Sequence, residues 1–227
     1  MKKAVVLLSG GLDSTTTMAC AVNDGYEVIA LSVVYGQRHV KEIESAKKVA
    51  DYYHAKHIIL DMDMSFLHSS ALTSLDLDVP AHDSAEELVA DIPVTYVPAR
   101  NITMLSLAAG LCESEGGEAI YIGANSVDYS GYPDCRAEFF EAFQRVLQVG
   151  TKCGVEGQAV KIMTPILSMS KAEIVQLATK LGAPLQYTWS CYNGGEKACG
   201  HCDSCLLRLK GFKEAGLKDP IAYEESA

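Results

Sequence analysis

The 227-residue sequence lacks any stretch near the ~18 consecutive apolar residues that a membrane-spanning helix needs. The apolar run at residues 4–8 is also shorter than the ~7–15 residues of a secretory signal. Basic residues are few, since 19 lysines and arginines stand against 29 acidic residues, and the formal net charge is −10. We therefore expect a cytoplasmic protein with no membrane partner.

Positive charge is missing altogether from one long internal stretch. Residues 57–99 contain no lysine or arginine and eight aspartates and glutamates. Proteins that bind nucleic acid need a clustered basic face, because neutralising the phosphates supplies much of their affinity. The charge balance therefore favours small-molecule substrates over nucleic acid, although a local basic patch can still form from Lys197, Arg208, Lys210 and Lys213.

Short apolar runs alternate along the chain with segments of helical periodicity. Strands are predicted at 4–8, 28–35, 57–62, 94–98, 119–125 and 160–165, and helices at about 14–22, 39–54, 101–116, 138–149 and 170–182. The last helix begins with the capping-box pattern Ser170-x-x-Glu173. This alternation predicts an α/β fold with a doubly wound, mostly parallel sheet in a single domain over residues 1–227. Ligands then bind beyond the carboxyl ends of the strands. Residues 63–93 are too long for a simple connector and are predicted to form a lid or substrate loop.

A glycine turn joins the first predicted strand to the first predicted helix, in the sequence LLSGGLDSTT at residues 7–16. Gly10 and Gly11 let backbone N–H groups approach an anion, and the following helix adds its positive end. An ordinary strand-to-helix turn with an N-cap residue would be enough to explain the two glycines. It would not require four hydroxyl side chains around the same turn, at Ser9, Ser14, Thr15 and Thr16.

The same turn differs from the Walker phosphate loop, because it has no lysine and carries the carboxylate of Asp13. A carboxylate can lie beside phosphates only if a cation lies between them, or if its charge faces the helix N-terminus. Of these two arrangements, Mg²⁺ held partly by Asp13 is the one we expect.

Four cysteines form a cluster near the end of the chain, with the spacing C-x7-C-x2-C-x2-C. Four thiolates suit a closed tetrahedral zinc site without an open position, so a structural Zn²⁺ in an element over residues 186–212 is expected. His201 can replace one ligand, and an iron–sulfur cluster uses the same ligand type. The proposed zinc ligands are Cys191, Cys199, Cys202 and Cys205.

The SGGLDS motif resembles the signature of the PP-loop ATP pyrophosphatases. The resemblance implies an enzyme that grips the β and γ phosphates of ATP, cleaves between α and β, and adenylates an oxygen of its substrate. It implies catalytic roles for Ser9, Asp13 and Ser14, and a fourth catalytic residue, Arg100, is proposed from its position just after the predicted strand at 94–98. The implied ATP-binding residues are Leu8, Ser9, Gly10, Gly11, Leu12, Asp13, Ser14, Thr15, Thr16, Thr17 and Met18.

A closer resemblance covers residues 4 to about 212. The motifs SGGLDSTT, YGQRH (35–39), PARN (98–101), GANSVDYSGYPDCR (123–136) and SCYNGG…CGHCDSC follow one another in this order. Together they resemble the 7-cyano-7-deazaguanine synthase family of queuosine biosynthesis. The resemblance implies a homodimer that converts a carboxylate and ammonia into a nitrile with two ATP.

The substrate-binding residues are proposed from two of these motifs. Arg100 and Asn101 follow the predicted strand at 94–98, and an arginine suits a bidentate hold on a carboxylate. Base recognition is assigned to a second group, Asp128, Tyr132, Asp134 and Arg136.

Three other functions remain open at this point. A PP-loop enzyme that thiolates or aminates tRNA would need a basic face and a reactive cysteine, for which Cys135 is the candidate. A module that binds ATP without turnover would release no pyrophosphate. A scaffold built around the zinc element would leave the hydroxyl-rich loop without a role.

Overall fold

The computed structural model describes residues 2–36, 41–64, 66–74, 76–85, 92–127 and 131–224. Its strands are β1 (Lys3–Leu7), β2 (Glu27–Val34), β3 (Lys56–Asp61), β4 (Ala119–Tyr121) and β5 (Lys161–Met163). Its α-helices are α1 (Leu12–Asn23), α2 (Lys41–Tyr52), α3 (Arg100–Ser114), α4 (Ala137–Gly150), α5 (Lys152–Val155), α6 (Lys171–Lys180) and α7 (Asp203–Glu214).

The five strands of the described residues form one sheet in the order β3-β2-β1-β4-β5, and every neighbouring pair is parallel. The chain builds outward from β1 to β3, then crosses back to place β4 and β5 on the other side of β1. This reversal leaves a crevice at the carboxyl ends of β1 and β4, where ligands bind in such sheets. The predicted doubly wound, parallel fold is confirmed.

Alternate residues of β1 supply the cores on the two faces of the sheet. Val5 and Leu7 pack with residues of α3 and α4. Ala4 and Val6 pack with residues of α1 and α2 on the other face. Because both faces are covered, the central strands are apolar throughout, which is why β1 and β2 read as continuous hydrophobic runs.

Helix α6 packs against α1 and α7 and joins the last third of the chain to the first helix. Its apolar stripe meets Leu12 of α1 and Phe212 of α7. Helix α7 has no counterpart among the predicted helices, because Gly211 and several basic residues weaken its apolar period. None of the helices in the described ranges is long and apolar enough to cross a membrane.

The predicted strand at residues 94–98 is wrong. The segment forms turns, in which Tyr96 N–H donates to the Pro93 carbonyl and Arg100 N–H donates to the Val97 carbonyl. Thr95 and Val97 are buried although they lie in turns. The alternation of buried and less buried residues in this segment therefore resembles that of a strand. Proline has no backbone N–H to donate in a strand ladder. Pro93 and Pro98, at the two ends of the segment, therefore limit its hydrogen bonding to a neighbouring strand.

The long segment at 63–93 is described only in part, since residues 65, 75 and 86–91 lie outside the described ranges. Met64 and Leu72 pack with Val33 at the end of β2, and Leu72 lines the cavity described below, whereas residues 79–82 pack on the cysteine cluster. Ala81 forms an isolated bridge with Cys202, and His82 N–H donates to the His201 carbonyl at 3.0 Å. A lid or substrate-loop role for this segment stays a prediction.

The capping box predicted at the start of α6 gives the first test. Ser170 Oγ accepts from Glu173 N–H at 3.3 Å, and the Glu173 carboxylate accepts from Ser170 N–H at 2.7 Å. Replacing an N-cap serine by alanine removes a partner from an N–H of the first turn and costs about 1 kcal/mol. Ser170→Ala is therefore expected to lower the free energy of unfolding by about that amount in urea denaturation.

Ser106→Ala is the matched control. Ser106 is exposed in α3, and its hydroxyl donates only to the Ile102 carbonyl within the same helix. We expect a change below ~0.5 kcal/mol for this variant. Equal stabilities of the two variants would contradict the capping role of Ser170.

Candidate active site

A cavity of about 270 Å³ opens at the carboxyl ends of β1, β2 and β4. Its walls are largely apolar, with a few polar and charged side chains converging on it. This composition and position are typical of a small-molecule site in an open parallel sheet.

The turn after β1 forms the floor of the cavity, and Ser14 organises it. Ser14 Oγ accepts from Gly10 N–H at 3.2 Å and from Ser9 Oγ at 3.0 Å, and it donates to the Gly11 carbonyl at 3.2 Å. Gly11 is the N-cap of α1, and its residue type provides no capping side chain. The first N–H groups of α1 therefore face the cavity end of the helix, where an anion can bind.

The turn is packed tightly on three sides. Gly10 has φ +87°, and a Cβ there would lie 2.3 Å from the Glu42 carbonyl oxygen of α2. A Cβ on Gly123, just after β4, would lie 2.9 Å from the Asp13 backbone. On the third side, Trp189 N–H donates to the Gly10 carbonyl at 2.9 Å. These contacts fix the loop before any ligand arrives.

A lysine from elsewhere in the chain lies at the loop that lacks one. Lys171 Nζ donates to both carboxylate oxygens of Asp13 at 2.9 Å. Lys171 is the first residue of α6 and is buried, and Gly211 packs so closely on its stem that a Cβ would lie 2.4 Å from Lys171 Cγ. A sequence signal for this residue exists, because the capping box at Ser170 places the next residue at the start of a helix that follows β5.

Arg100 reaches the cavity from the first residue of α3. The preceding Ala99 has φ +56°, a left-handed backbone that costs an alanine about 1–2 kcal/mol. Arg100 Nη1 donates to the Tyr35 hydroxyl at 3.2 Å. Next to it, Asn101 Nδ2 donates to the Asp134 carbonyl at 3.1 Å, so Asp134 contacts the cavity wall through Asn101.

The structure brings nine of the proposed site residues to the cavity. They are Leu8, Ser9, Gly11, Leu12, Asp13, Ser14, Arg100, Asn101 and Tyr132. The cavity also contains Tyr35 of the YGQRH motif and Tyr192 of the SCYNGG motif, together with three residues that sequence patterns did not single out: Glu42, Lys171 and Trp189. These come from separate segments, and only their packing brings them together.

Other proposed residues do not line the cavity. Thr15, Thr16 and Thr17 are buried in α1, where Thr16 Oγ1 donates to the Leu12 carbonyl at 2.8 Å, and Met18 is part of the apolar core. Arg136 is exposed at the start of α4. Asp128 lies outside the described residues. Gly10 and Asp134, the last two of the proposed site residues, lie behind residues that line the cavity.

The four clustered cysteines are buried, and their sulfurs all lie within 4.8 Å of one another. A tetrahedral zinc site with Zn–S bonds of ~2.3 Å has sulfurs about 3.8 Å apart. The sulfurs of Cys199 and Cys205 are 3.9 Å apart, close to that spacing. The structure therefore confirms that this group can hold a metal ion such as zinc.

Backbone groups also support negative charge at the cluster. Cys191 Sγ accepts from the N–H groups of Asn193 and Cys199 at 3.4 Å, and Cys199 Sγ accepts from Cys202 N–H at the same distance. His201 is exposed, and its Nδ1 lies 2.9 Å from the Cys199 carbonyl oxygen, so it takes no place among the four sulfurs.

A buried arginine connects the cysteine element to the cavity. Arg208 of α7 donates from Nε and Nη2 to the Asp219 carboxylate at 2.7 and 2.9 Å. Its Nη1 donates to the hydroxyls of Thr188 at 2.7 Å and Ser190 at 3.3 Å. These bonds fix the segment 188–190, which includes the Trp189 contact to Gly10. The cysteine element thereby supports one wall of the cavity.

Comparison with known proteins agrees with this geometry. The family model described as "Queuosine biosynthesis protein QueC" matches residues 3–216. The 7-cyano-7-deazaguanine synthase 2 of Desulfitobacterium hafniense (strain Y51) is 61% identical, over 98% of this chain and 94% of its own. The 7-cyano-7-deazaguanine synthase of Acetivibrio thermocellus is 58% identical, over 99% of both chains.

A third relative is archaeal. The 7-cyano-7-deazaguanine synthase of Thermoplasma acidophilum is 54% identical, over 99% of this chain and 93% of its own. The matched region of the family model includes the glycine turn after β1, the GYPDCR segment and all four clustered cysteines. This chain belongs to the queuosine biosynthesis protein QueC family.

Proposed function

We propose that this chain is an ATP-dependent carbon–nitrogen ligase that converts 7-carboxy-7-deazaguanine and ammonia into 7-cyano-7-deazaguanine for queuosine biosynthesis. The observation that carries the proposal is the convergence of the SGGLDS loop, Lys171 and Arg100 on one cavity. The names and near-complete coverage of the similar proteins support the same reaction.

The chemistry explains why a phosphate loop is needed. Turning a carboxylate into a nitrile removes two oxygens, and neither leaves without activation. Adenylation of the carboxylate gives a mixed anhydride, and ammonia displaces AMP to form an amide. Adenylation of the amide oxygen then lets AMP leave as the C≡N bond forms. The reaction consumes two ATP and releases two AMP and two pyrophosphates.

The loop and its lysine are assigned to the ATP phosphates. The backbone N–H groups of residues 11–14 and the N-terminus of α1 attract the anion, and the Lys171 ammonium adds a charge that the loop itself lacks. Asp13 orients Lys171 and, with ATP bound, is proposed as a ligand of Mg²⁺, which neutralises phosphate charge. Residues 15–18 remain part of the proposed ATP-binding set and act by fixing the helix.

The other wall is assigned to the deazaguanine substrate. Arg100 is suited to hold its carboxylate by two parallel hydrogen bonds. Asn101 and Tyr132 line the same side, with Asp134 behind Asn101. Roles for Asp128 and Arg136 in base recognition stay proposals.

Further features are proposed from the family and the cysteine geometry. One structural zinc per chain is held by the four cysteines, and the enzyme is a cytoplasmic homodimer. Its partners are small molecules, with no nucleic acid among them. No closed four-thiolate site has a position for substrate, so the metal acts on stability.

The alternative of a tRNA-thiolating enzyme finds no support at Cys135. This half-buried thiol lines the cavity, but burial raises its pKa to about 11. A thiolate is the reactive form, and little of it exists at neutral pH with such a pKa.

The proposed function is tested by incubating the protein with Mg-ATP, ammonium and 7-carboxy-7-deazaguanine, followed by mass spectrometry of bases and nucleotides. We expect the nitrile with AMP, after a transient amide. Nitrile with ADP would retain the ligase function and overturn the assignment of the loop to leaving pyrophosphate. No nitrile from folded, zinc-loaded protein would contradict the proposal.

Lys171→Met tests the lysine at the phosphate loop. Loss of one preorganised cation at developing phosphate charge costs about 10²–10³-fold in rate, so kcat/KM for ATP is expected to fall by about that factor. Lys180→Met is the control, because Lys180 is an exposed residue at the end of the same helix. If both variants turn over ATP equally well, Lys171 has no part in phosphate binding.

Cys202→Ser tests the metal site. The wild type is expected to contain one zinc and no iron by elemental analysis, and the variant is expected to lose zinc and melt at lower temperature, since structural zinc contributes folding free energy. Cys153→Ser is the control, because Cys153 is a half-buried cysteine outside the cluster. Full zinc occupancy in the Cys202 variant would contradict the ligand assignment, and iron in the wild type would replace zinc.

A further inference from the structure

Two acidic side chains line the cavity, those of Asp13 and Glu42. Asp13 is already paired, since both of its carboxylate oxygens accept from Lys171. Glu42 is the second residue of α2 and half-buried, and it makes no hydrogen bond or ion pair with any other described residue. The cavity thus contains one carboxylate that no side chain or backbone group of the described ranges binds.

Glu42 lies near the group assigned to the substrate carboxylate. The guanidinium of Arg100 acts electrostatically on Glu42, yet the two side chains form no ion pair. Glu42 comes from α2 and Arg100 from α3, helices that cover opposite faces of the sheet. A cavity that separates a carboxylate from a guanidinium can accept one anionic and one cationic group side by side.

The proposed reaction has such a pair of reactants. The substrate carboxylate is the anion, and Arg100 suits it. The nitrogen donor is mostly ammonium at neutral pH, which is a cation and has no lone pair for attack. It must be bound as a cation and must lose a proton inside the site before a C–N bond can form.

We propose that Glu42 binds this ammonium ion and accepts one of its protons, so that ammonia is released beside the acyl adenylate. The inference rests on the proposed function. The nitrogen lone pair forms the C–N bond as the bond from carbon to the phosphate oxygen breaks, and AMP leaves with that electron pair. The nitrogen that has attacked still carries one extra proton, which it loses to solvent to give the neutral amide. Glu42 returns its own proton to solvent.

The acidity of Glu42 fits this role. Burial raises the pKa of its carboxyl to about 7, against the opposing effect of Arg100. A general base works best when its pKa lies near the operating pH, because it is then both ionised and basic enough to take a proton.

The variant Glu42→Gln distinguishes ammonium binding from other roles of Glu42 when it is assayed with two nucleophiles, ammonium and hydroxylamine, and with two starting compounds, the acid and the amide. With 7-carboxy-7-deazaguanine and saturating ATP, we expect KM for ammonium to rise at least about tenfold and amide formation to slow by about 100-fold. Hydroxylamine is neutral at this pH, so the variant should form hydroxamate within about threefold of the wild-type rate. Conversion of supplied amide to nitrile should also stay within about threefold.

Glu44→Gln is the matched control, because Glu44 is exposed on the same helix and undergoes the same chemical change. It is expected to match the wild type in every assay. A Glu42→Asp variant, with a shorter carboxylate, covers the case in which Glu42→Gln does not fold. It should show a smaller defect with ammonium and none with hydroxylamine.

Three results would overturn the role of Glu42. They are an unchanged KM for ammonium in Glu42→Gln, an equal loss of rate with ammonium and hydroxylamine, or a defect confined to KM for 7-carboxy-7-deazaguanine. A wild-type protein that makes no nitrile from either the acid or the amide would instead remove the proposed function itself. The two failures are therefore distinguishable.

Discussion

The ion pair between Lys171 and Asp13 is the interaction on which the site depends. Its partners are 158 residues apart, and each carboxylate oxygen of Asp13 accepts from Nζ at 2.9 Å. Lys171 is buried and Asp13 is half-buried, so water and salt screen the pair less than a pair on the surface. The pair holds the Lys171 ammonium at the loop and fixes α6 against α1.

The cysteine element acts on the same loop from another direction. Arg208, neutralised by Asp219, holds the segment around Trp189, and Trp189 N–H bonds the Gly10 carbonyl. The cysteine cluster therefore adjoins the cavity, since Ser190 and Tyr192 on either side of Cys191 line it. With α2 and the end of β4 on its other sides, the loop is held in one conformation, as the proposed binding of phosphate requires.

Features set by local residues could be predicted from the sequence. Alternating apolar runs indicated the parallel fold, the capping box at Ser170 marked α6, and cysteine spacing indicated the metal site. Features set by distant packing could not be predicted. The turn at 94–98 has the same alternation of buried and less buried residues as a strand. The period of helix α1 turns Thr16 and Met18 away from the cavity. Nothing near Lys171 in the sequence indicates that it pairs with Asp13.

The most direct test is a crystal structure with Mg²⁺ and an ATP analogue whose α–β bridge cannot be cleaved. The account predicts β and γ phosphates bonded to the N–H groups of residues 11–14, with Lys171 Nζ within hydrogen-bond distance of a phosphate oxygen. Phosphates bound elsewhere, with Lys171 far from the nucleotide and still paired only with Asp13, would contradict it.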